Sequence, residues 1–196
     1  MKPADAIERA ATLDDAQAMT RLVDMAGEGL PFYLWSRMAG PGEDPWEIGR
    51  QRARRESGGF SYRNTTILER AGRIIAGMIG YPLPDEPPSL DLAGIPPMFV
   101  PLEELEQQAP ATWYVNVLAV VPEERRCGHG RRLLAVAEQK ARASSRRGMS
   151  IIVSDANDKA RQLYESCGYR EAGRRAMVKE DWANPGQHWV LLTKAL

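Results

Sequence analysis

The run from Thr112 to Ser154 constrains the fold more than any other part of the chain, because it alternates strand, glycine loop, helix and strand. Residues Thr112 to Val121 are rich in β-branched and aromatic side chains and stop at Pro122, which is typical of a strand. Glycines and a helical stripe follow, and Gly148 separates that helix from a second strand, Ser150 to Ser154. A strand, helix and strand in this order form a right-handed crossover, so the two strands should be parallel.

The rest of the chain adds strands and helices around this unit. Tyr62 to Glu69 and Arg73 to Tyr81 are joined by a turn at Ala71-Gly72, which predicts an antiparallel hairpin. Thr12-x-x-Asp15 resembles a capping box and predicts the start of a helix. The other predicted elements are a helix at Asn157 to Cys167 and strands at Ile7 to Ala11, Tyr169 to Val178 and His188 to Thr193. Together they predict an α/β fold with a mixed sheet flanked by helices.

Length and charge narrow the classes of function. A chain of 196 residues, 43% of them hydrophobic, can bury one substantial core, so we expect a single domain over 1–196. Basic and acidic residues number 26 each, which leaves no overall field to attract nucleic acid or a membrane surface. The apolar runs are far shorter than the roughly 20 residues that cross a bilayer. The N-terminus lacks an apolar signal-peptide core, so we expect a cytoplasmic protein. The oligomeric state stays open, a homodimer included.

Residues 82–110 hold 8 of the 14 prolines, which predicts a long surface loop. The overlapping stretch from Ile74 to Glu124 contains acidic residues but no Lys or Arg. Two interpretations fit this pattern. The stretch forms an acceptor lip that attracts a cationic amine, or it is a solvated loop.

The segment after the first of the two parallel strands has the features of an anion site. Gly128 and Gly130 precede a helix whose first backbone N–H groups have no partner within the helix, and the helix dipole makes this end positive. Arg131 and Arg132 lie in the first turn, where cations are disfavoured unless an anion is bound. The alternative interpretation is a solvated arginine face, partly neutralised by Glu123, Glu124 and Glu138.

Arg125, Gly128 and Gly130 fill the three defined positions of the pattern Q/R-x-x-G-x-G/A. This segment therefore resembles the acyl-CoA-binding motif of the GNAT family of N-acetyltransferases. The resemblance implies the GNAT fold, with a mostly antiparallel sheet, and acetyl-CoA as co-substrate with its pyrophosphate on the backbone amides of the loop. It also implies that the two parallel strands separate and admit the pantetheine arm. The cofactor-binding residues implied are Leu118, Val120, Arg125, Arg126, Cys127, Gly128, His129, Gly130, Arg131, Asn157 and Tyr164.

A second segment strengthens the resemblance, because it is similar to the family's N-x-x-A-x-x-L-Y-x-x-x-G-F/Y element. The matching residues are Asn157, Ala160, Leu163, Tyr164, Gly168 and Tyr169. The resemblance implies that Tyr164 is the general acid that protonates the leaving thiolate, and a packing role in the core is the alternative. Asn157 is a pantetheine-binding residue, the helix N-cap, or both. The backbone N–H of Leu118 should meet the oxyanion.

In the reaction implied, a neutral primary amine of a small molecule or a peptide attacks the thioester directly. An alkyl amine with a pKa near 10 is less than about one part in a thousand neutral at pH 7, so its proton must be removed. Many relatives carry a Glu on the strand before the loop, where this chain has Tyr114 and Asn116. We expect Asp155, Glu103 or Glu104, or a water relay, to serve instead.

The cysteines and histidines suggest neither a metal site nor a disulfide. Cys127, Cys167, His129 and His188 form no C-x-x-C or H-x-x-x-H pair, so we expect no metal. A disulfide is not expected in a reducing cytosol. His188 is interpreted as a structural or surface residue.

Two other classes of function compete with an N-acetyltransferase. A non-catalytic acyl-CoA-binding regulatory module of the same fold would keep the loop and lose the chemistry. Nucleic-acid binding by the arginine-rich helix is a third interpretation, which the balanced charge disfavours.

Overall fold

The computed structural model describes residues 6–89 and 94–196. In chain order, the strands and helices within these ranges are β1 Ile7–Ala10, α1 Ala16–Ala26, α2 Leu30–Met38, α3 Pro45–Ala53, β2 Thr65–Arg70, β3 Arg73–Pro82, α4 Val100–Glu106, β4 Thr112–Val120, α5 His129–Ala143, β5 Gly148–Ser154, α6 Asp158–Ser166, β6 Arg170–Ala176 and β7 His188–Ala195. Each strand corresponds to one that the sequence predicts, with bounds that differ by up to three residues. The largest strand difference lies at residues 62–64, where a 3-10 turn replaces the start of the predicted strand.

The strands form one sheet in the order β1-β2-β3-β4-β5-β7-β6. The pairs β1–β2, β2–β3, β5–β7 and β6–β7 are antiparallel, and β4 pairs with β5 in parallel. The predicted mixed, mostly antiparallel sheet is therefore confirmed, as is the parallel pair from the crossover. The β4–β5 pairing joins Thr112–Val115 to Gly148–Ile151. Separation of β4 from β5 beyond these paired residues, which would admit the pantetheine arm, stays a prediction.

The first of two compact units comprises the described residues up to Gly80 together with Asn116–Leu133. Its β2–β3 hairpin turns at Ala71 and Gly72, whose φ angles of 50° and 75° suit the tight turn that the sequence predicts. Thr12 donates its backbone N–H to the Asp15 carboxylate at 2.7 Å, and α1 follows directly. A buried cluster in this unit consists of Val23, Trp35, Ile79 and Val117.

The second unit comprises the described residues of Tyr81–Val115 together with Leu134–Leu196. Strands β5 and β7 form its centre, and Met149, Leu191 and Leu192 are almost completely buried there. The number of domains stays a prediction. No helix of the described residues has the length and apolar character needed to span a membrane.

The prediction of a continuous loop over residues 82–110 is wrong for its second half. A 3-10 turn at Pro97–Phe99 leads into α4, and Met98 and Leu105 are 1% and 0% exposed. Pro101 lies in the first turn of α4, where proline is compatible with a helix because the N–H it lacks would have no partner within the helix. The proline content therefore marks the start of a helix, which the sequence prediction missed.

Candidate functional site

The predicted anion-binding loop lies between β4 and α5. A 3-10 turn at Pro122–Glu124 leads into exposed residues, and Arg126 and Gly128 have left-handed backbones with φ of 64° and 84°. A Cβ placed on Gly128 would meet no atom within 4 Å. The space beside this glycine is thus open, and the conformation that it adopts carries little steric cost for glycine. The loop presents backbone to solvent at the N-terminus of a 15-residue helix.

The arginines of this segment have different partners. Arg125 donates through Nε to the Val120 carbonyl at 3.1 Å, which holds its side chain against the end of β4. Arg132 donates to the Ala6 carbonyl at 2.8 Å. The interpretation that an anion explains Arg132 is therefore unnecessary, since its guanidinium binds the chain itself. Arg131, in the same turn, is exposed.

His129, the first residue of α5, is buried beside an ion pair. Arg70 donates through one guanidinium nitrogen to both Glu124 oxygens, at 3.0 and 2.8 Å. The Nε2 atom of His129 lies 3.4 Å from Glu124 Oε2 and 3.4 Å from the other terminal nitrogen of Arg70. Cys127 joins this group, because ligand atoms of Glu124, Cys127 and His129 all lie within 4.8 Å of one another. The fold brings these three different residue types together, and no C-x-x-C or H-x-x-x-H pattern describes such a mixed set.

Side chains of β4 alternate in burial just before the loop. Val117 and Ala119 are buried, whereas Leu118 and Val120 are half-buried and Asn116 is exposed. This alternation follows from the two-residue period of a strand. The role of the Leu118 N–H as an oxyanion donor stays a prediction.

Helix α6 carries the second motif and belongs to the other unit. The Asn157 side chain accepts the backbone N–H of Ala160 at 3.2 Å, which makes Asn157 the N-cap. Tyr164 is 5% exposed, and its ring centroid lies 6.0 Å from that of Tyr169. Tyr169 is buried as well and donates its hydroxyl to the Met149 sulfur at 3.6 Å. Tyr164 thus has the contacts of a core residue, and its role as an acid stays a prediction.

Asp155, a predicted base, is held by the start of β7. It accepts the Gln187 N–H at 2.8 Å, and its other oxygen lies 3.1 Å from His188 Nδ1. Burial raises the pKa of this carboxyl, but hydrogen bonds from Gln187 and His188 outweigh burial and leave the pKa below its ordinary value. A carboxylate with a lowered pKa is a weaker base, so these contacts favour an orienting role toward His188.

The acidic residues of α4 differ sharply from one another. Glu104 forms an ion pair with Arg175 at 2.6 Å. Glu106 is half-buried, and its desolvation together with the charge of Glu103 raises its pKa from 4.5 to about 7. Sequence inspection could not single out Glu106 among its neighbours, because its difference from them lies in burial.

Tyr114, on β4, is within the electrostatic influence of this carboxyl. The side chain is buried, and its ring centroid lies 5.6 Å from that of Tyr81. Burial, Tyr81 and the charges of Glu106 and Glu103 together raise the pKa of Tyr114 well above its ordinary value. The charge of the Glu106 carboxyl therefore acts on the buried Tyr114 hydroxyl of β4.

Several acids of the predicted lip already have partners. Besides the Glu104 pair, Asp85 binds Arg146 at 2.6 Å and Glu124 binds Arg70 at 2.8 Å. Asp91 lies outside the described residues. Arginines from other parts of the chain thus neutralise part of the acidic stretch, which reduces its attraction for a cationic acceptor.

A comparison with protein-family models matches residues 31–169 to the acetyltransferase (GNAT) family. The chain belongs to the GNAT acetyltransferase family. The matched range contains the β4–α5 loop and the α6 motif. No relative was found among curated proteins.

Solved structures of similar fold include several acetyltransferases. One acetyltransferase has 20% identity and a TM-score of 0.67, covering 96% of this chain and 98% of its own. An N-acetyltransferase from Staphylococcus aureus Mu50 has 15% identity and a TM-score of 0.66, with coverage of 96% and 100%. A GNAT family acetyltransferase from Elizabethkingia anophelis with acetyl-CoA bound has 19% identity and a TM-score of 0.50, with coverage of 67% and 75%. These similarities show the GNAT fold.

Proposed function

We propose that the protein is an acetyl-CoA-dependent N-acetyltransferase that acetylates a primary amine of a small molecule or a peptide by direct attack on the thioester. One observation carries the proposal. Of the GNAT motif residues, Arg125 and Gly128 lie on an exposed, sharply bent loop before α5, and Gly130 is the second residue of that helix. This is the arrangement that binds phosphate groups through backbone N–H donors.

The open space beside Gly128 supports the proposed position of the pyrophosphate. Because a Cβ at Gly128 would meet nothing within 4 Å, a phosphate oxygen can approach the backbone between Arg126 and Arg131. The positive end of the α5 dipole adds attraction for the anion. The acetyl-CoA-bound structure of similar fold supports the choice of co-substrate.

The acyl transfer requires three groups besides the loop. The amine nitrogen bonds to the thioester carbon, and the carbonyl oxygen becomes an oxyanion that the Leu118 N–H stabilises. The carbon–sulfur bond then breaks, and the thiolate takes a proton from the Tyr164 hydroxyl. The amine proton must pass to a base.

We assign that base to Glu106. A base is most effective when its pKa lies near the working pH, and the pKa of Glu106 is about 7. Asp155 is less suitable, because its hydrogen bonds lower its pKa. His188, oriented by Asp155, is the second candidate, since imidazole commonly serves as a base. Substitution of each residue by Gln, followed by the pH profile of kcat/KM, separates the two candidates.

The acceptor is expected to be cationic before it loses its proton. Any acidic attraction must come from side chains such as Glu103, since Glu104 and Asp85 are neutralised by arginines. Charge reversal at Glu103 should raise the KM for the amine, and an unchanged KM would favour the solvated-loop interpretation.

Calorimetric titration with acetyl-CoA tests the proposed co-substrate site. Arg131→Glu adds negative charge beside the proposed pyrophosphate and should weaken binding at least tenfold. Lys140→Glu makes the same charge change near the far end of α5 and should leave binding nearly unchanged. Arg132 is unsuitable for this test, because its substitution also removes the contact with Ala6.

The alternative is a non-catalytic module that binds acyl-CoA. Both functions predict binding, so the distinction requires turnover, measured as release of the free coenzyme A thiol with a panel of primary amines. Saturable release that depends on Tyr164 supports the enzyme. Tight binding without release for any amine in a broad panel supports the module.

A further inference from the structure

The residues around His129 have the composition and spacing of a transition-metal site. Glu124, Cys127 and His129 offer a carboxylate, a thiol and an imidazole, and their ligand atoms lie within 4.8 Å of one another. The 3.4 Å separation of Glu124 Oε2 and His129 Nε2 matches the edge of a tetrahedral Zn²⁺ site, about 3.3 to 3.6 Å for Zn–N and Zn–O bonds of about 2.0 to 2.2 Å. One edge of the site therefore already has the required length.

We propose that Glu124, Cys127 and His129 bind one thiophilic divalent cation of the Zn²⁺ class, with a fourth coordination position left for water. The mixed oxygen, nitrogen and sulfur donors suit Zn²⁺, whereas Mg²⁺ and Ca²⁺ require mostly oxygen donors. Cys127 is exposed and lies on the loop, so its side chain can move toward the other two ligands. Binding releases the thiol proton to solvent and leaves a thiolate on the ion.

The Arg70 guanidinium is the positively charged partner of Glu124 in this group. Its guanidinium binds both Glu124 oxygens and lies 3.4 Å from His129 Nε2, while its buried Nε has no hydrogen-bond partner among the described residues. A metal ion would replace the guanidinium as the positive partner of Glu124. Arg70 therefore competes with the metal, and its removal should strengthen metal binding.

Zn²⁺ titration of the full chain without acetyl-CoA tests the site, so that its result is independent of the proposed acetyl transfer. We expect one ion per chain, with release of a proton, detected by calorimetry in two buffers of different ionisation enthalpy. Cys127→Ser should weaken binding at least tenfold. Cys167→Ser and His188→Gln change the same residue types outside the group and should leave the affinity unchanged. Addition of Co²⁺ should produce thiolate-to-metal charge-transfer absorption that Cys127→Ser abolishes.

A variant that removes the competing charge gives the sharpest comparison. Arg70→Met should bind Zn²⁺ more tightly than the wild type, because it removes the positive charge that holds both Glu124 oxygens and repels the ion. Thermal melting of each variant confirms that it is folded. The absence of Zn²⁺ binding by the wild type, equal affinities of Cys127→Ser and Cys167→Ser, or no tightening in Arg70→Met would overturn the proposal.

Discussion

Replacement of Glu106 by Gln should stabilise the protein in a pH-dependent way. The carboxyl is half-buried near Glu103, and its pKa is about 7 instead of 4.5. Between these values the folded chain retains a proton that the unfolded chain has lost, so the free energy of unfolding falls as pH rises. Since one pKa unit corresponds to about 1.4 kcal/mol, the full cost above pH 7 is about 3 kcal/mol.

Glutamine resembles the protonated carboxyl and remains uncharged at every pH. Glu106→Gln should therefore raise the free energy of unfolding by about 3 kcal/mol at pH 8, but by less than about 1 kcal/mol at pH 5. Urea denaturation at the two pH values measures both differences. Glu86→Gln, at an exposed position, is the control and should change stability by less than about 0.5 kcal/mol at either pH.

The same variant also tests the catalytic assignment of Glu106. If the carboxyl is the base, kcat/KM should fall about 100-fold or more, and the ionisation near pH 7 should disappear from its pH profile. A variant that is more stable and less active would show that the burial of this charge serves catalysis at a cost in stability. An equal gain in stability at both pH values, or no gain at pH 8, would refute the reasoning about burial.

Three further predictions concern α6, α4 and the Asp155 pair. Tyr164→Phe should lower kcat at least tenfold, measured by steady-state kinetics; an unchanged kcat would leave Tyr164 as a packing residue. Leu105→Ala should lower the free energy of unfolding by about 2 to 5 kcal/mol in urea, because Leu105 is completely buried; a loss below about 1 kcal/mol would contradict the packing of α4. Asp155 has a lowered pKa, so its contribution to stability is present above its unfolded pKa and is lost as pH falls through its folded pKa. Asp155→Ala should therefore destabilise the chain at pH 7 more than at pH 3 in thermal melts, and an equal loss at both pH values would contradict that assignment.

The sequence was sufficient for those features that depend on local pattern. Strand β4, the hairpin at Ala71-Gly72 and the parallel β4–β5 pair follow from side-chain periodicity, turn residues and the handedness of crossovers. Each of the two GNAT motifs is one continuous segment of sequence. Its residue types and spacing therefore indicate the family without knowledge of the fold.

Features that depend on tertiary contacts escaped prediction. Helix α4 is short and begins among prolines, so its sequence has no strong helical pattern. The burial of Leu105 is a tertiary feature that the sequence does not show. The raised pKa of Glu106 arises from burial, and the partner of Arg132 lies far away in sequence at Ala6. The contact of Arg70 with Glu124 and His129 likewise joins residues more than 50 positions apart.

Calorimetric titration of acetyl-CoA into two matched glycine variants tests the loop most directly. Gly128 and Gly58 have φ of 84° and 88°, and a Cβ would meet no atom within 4 Å at either. Each Gly→Ala change should therefore cause a similar backbone strain, but only Gly128→Ala places a methyl group beside the proposed pyrophosphate. We predict binding at least tenfold weaker for Gly128→Ala and unchanged for Gly58→Ala. Wild-type protein that binds no acetyl-CoA, or variants that bind equally well, would contradict the proposed co-substrate site.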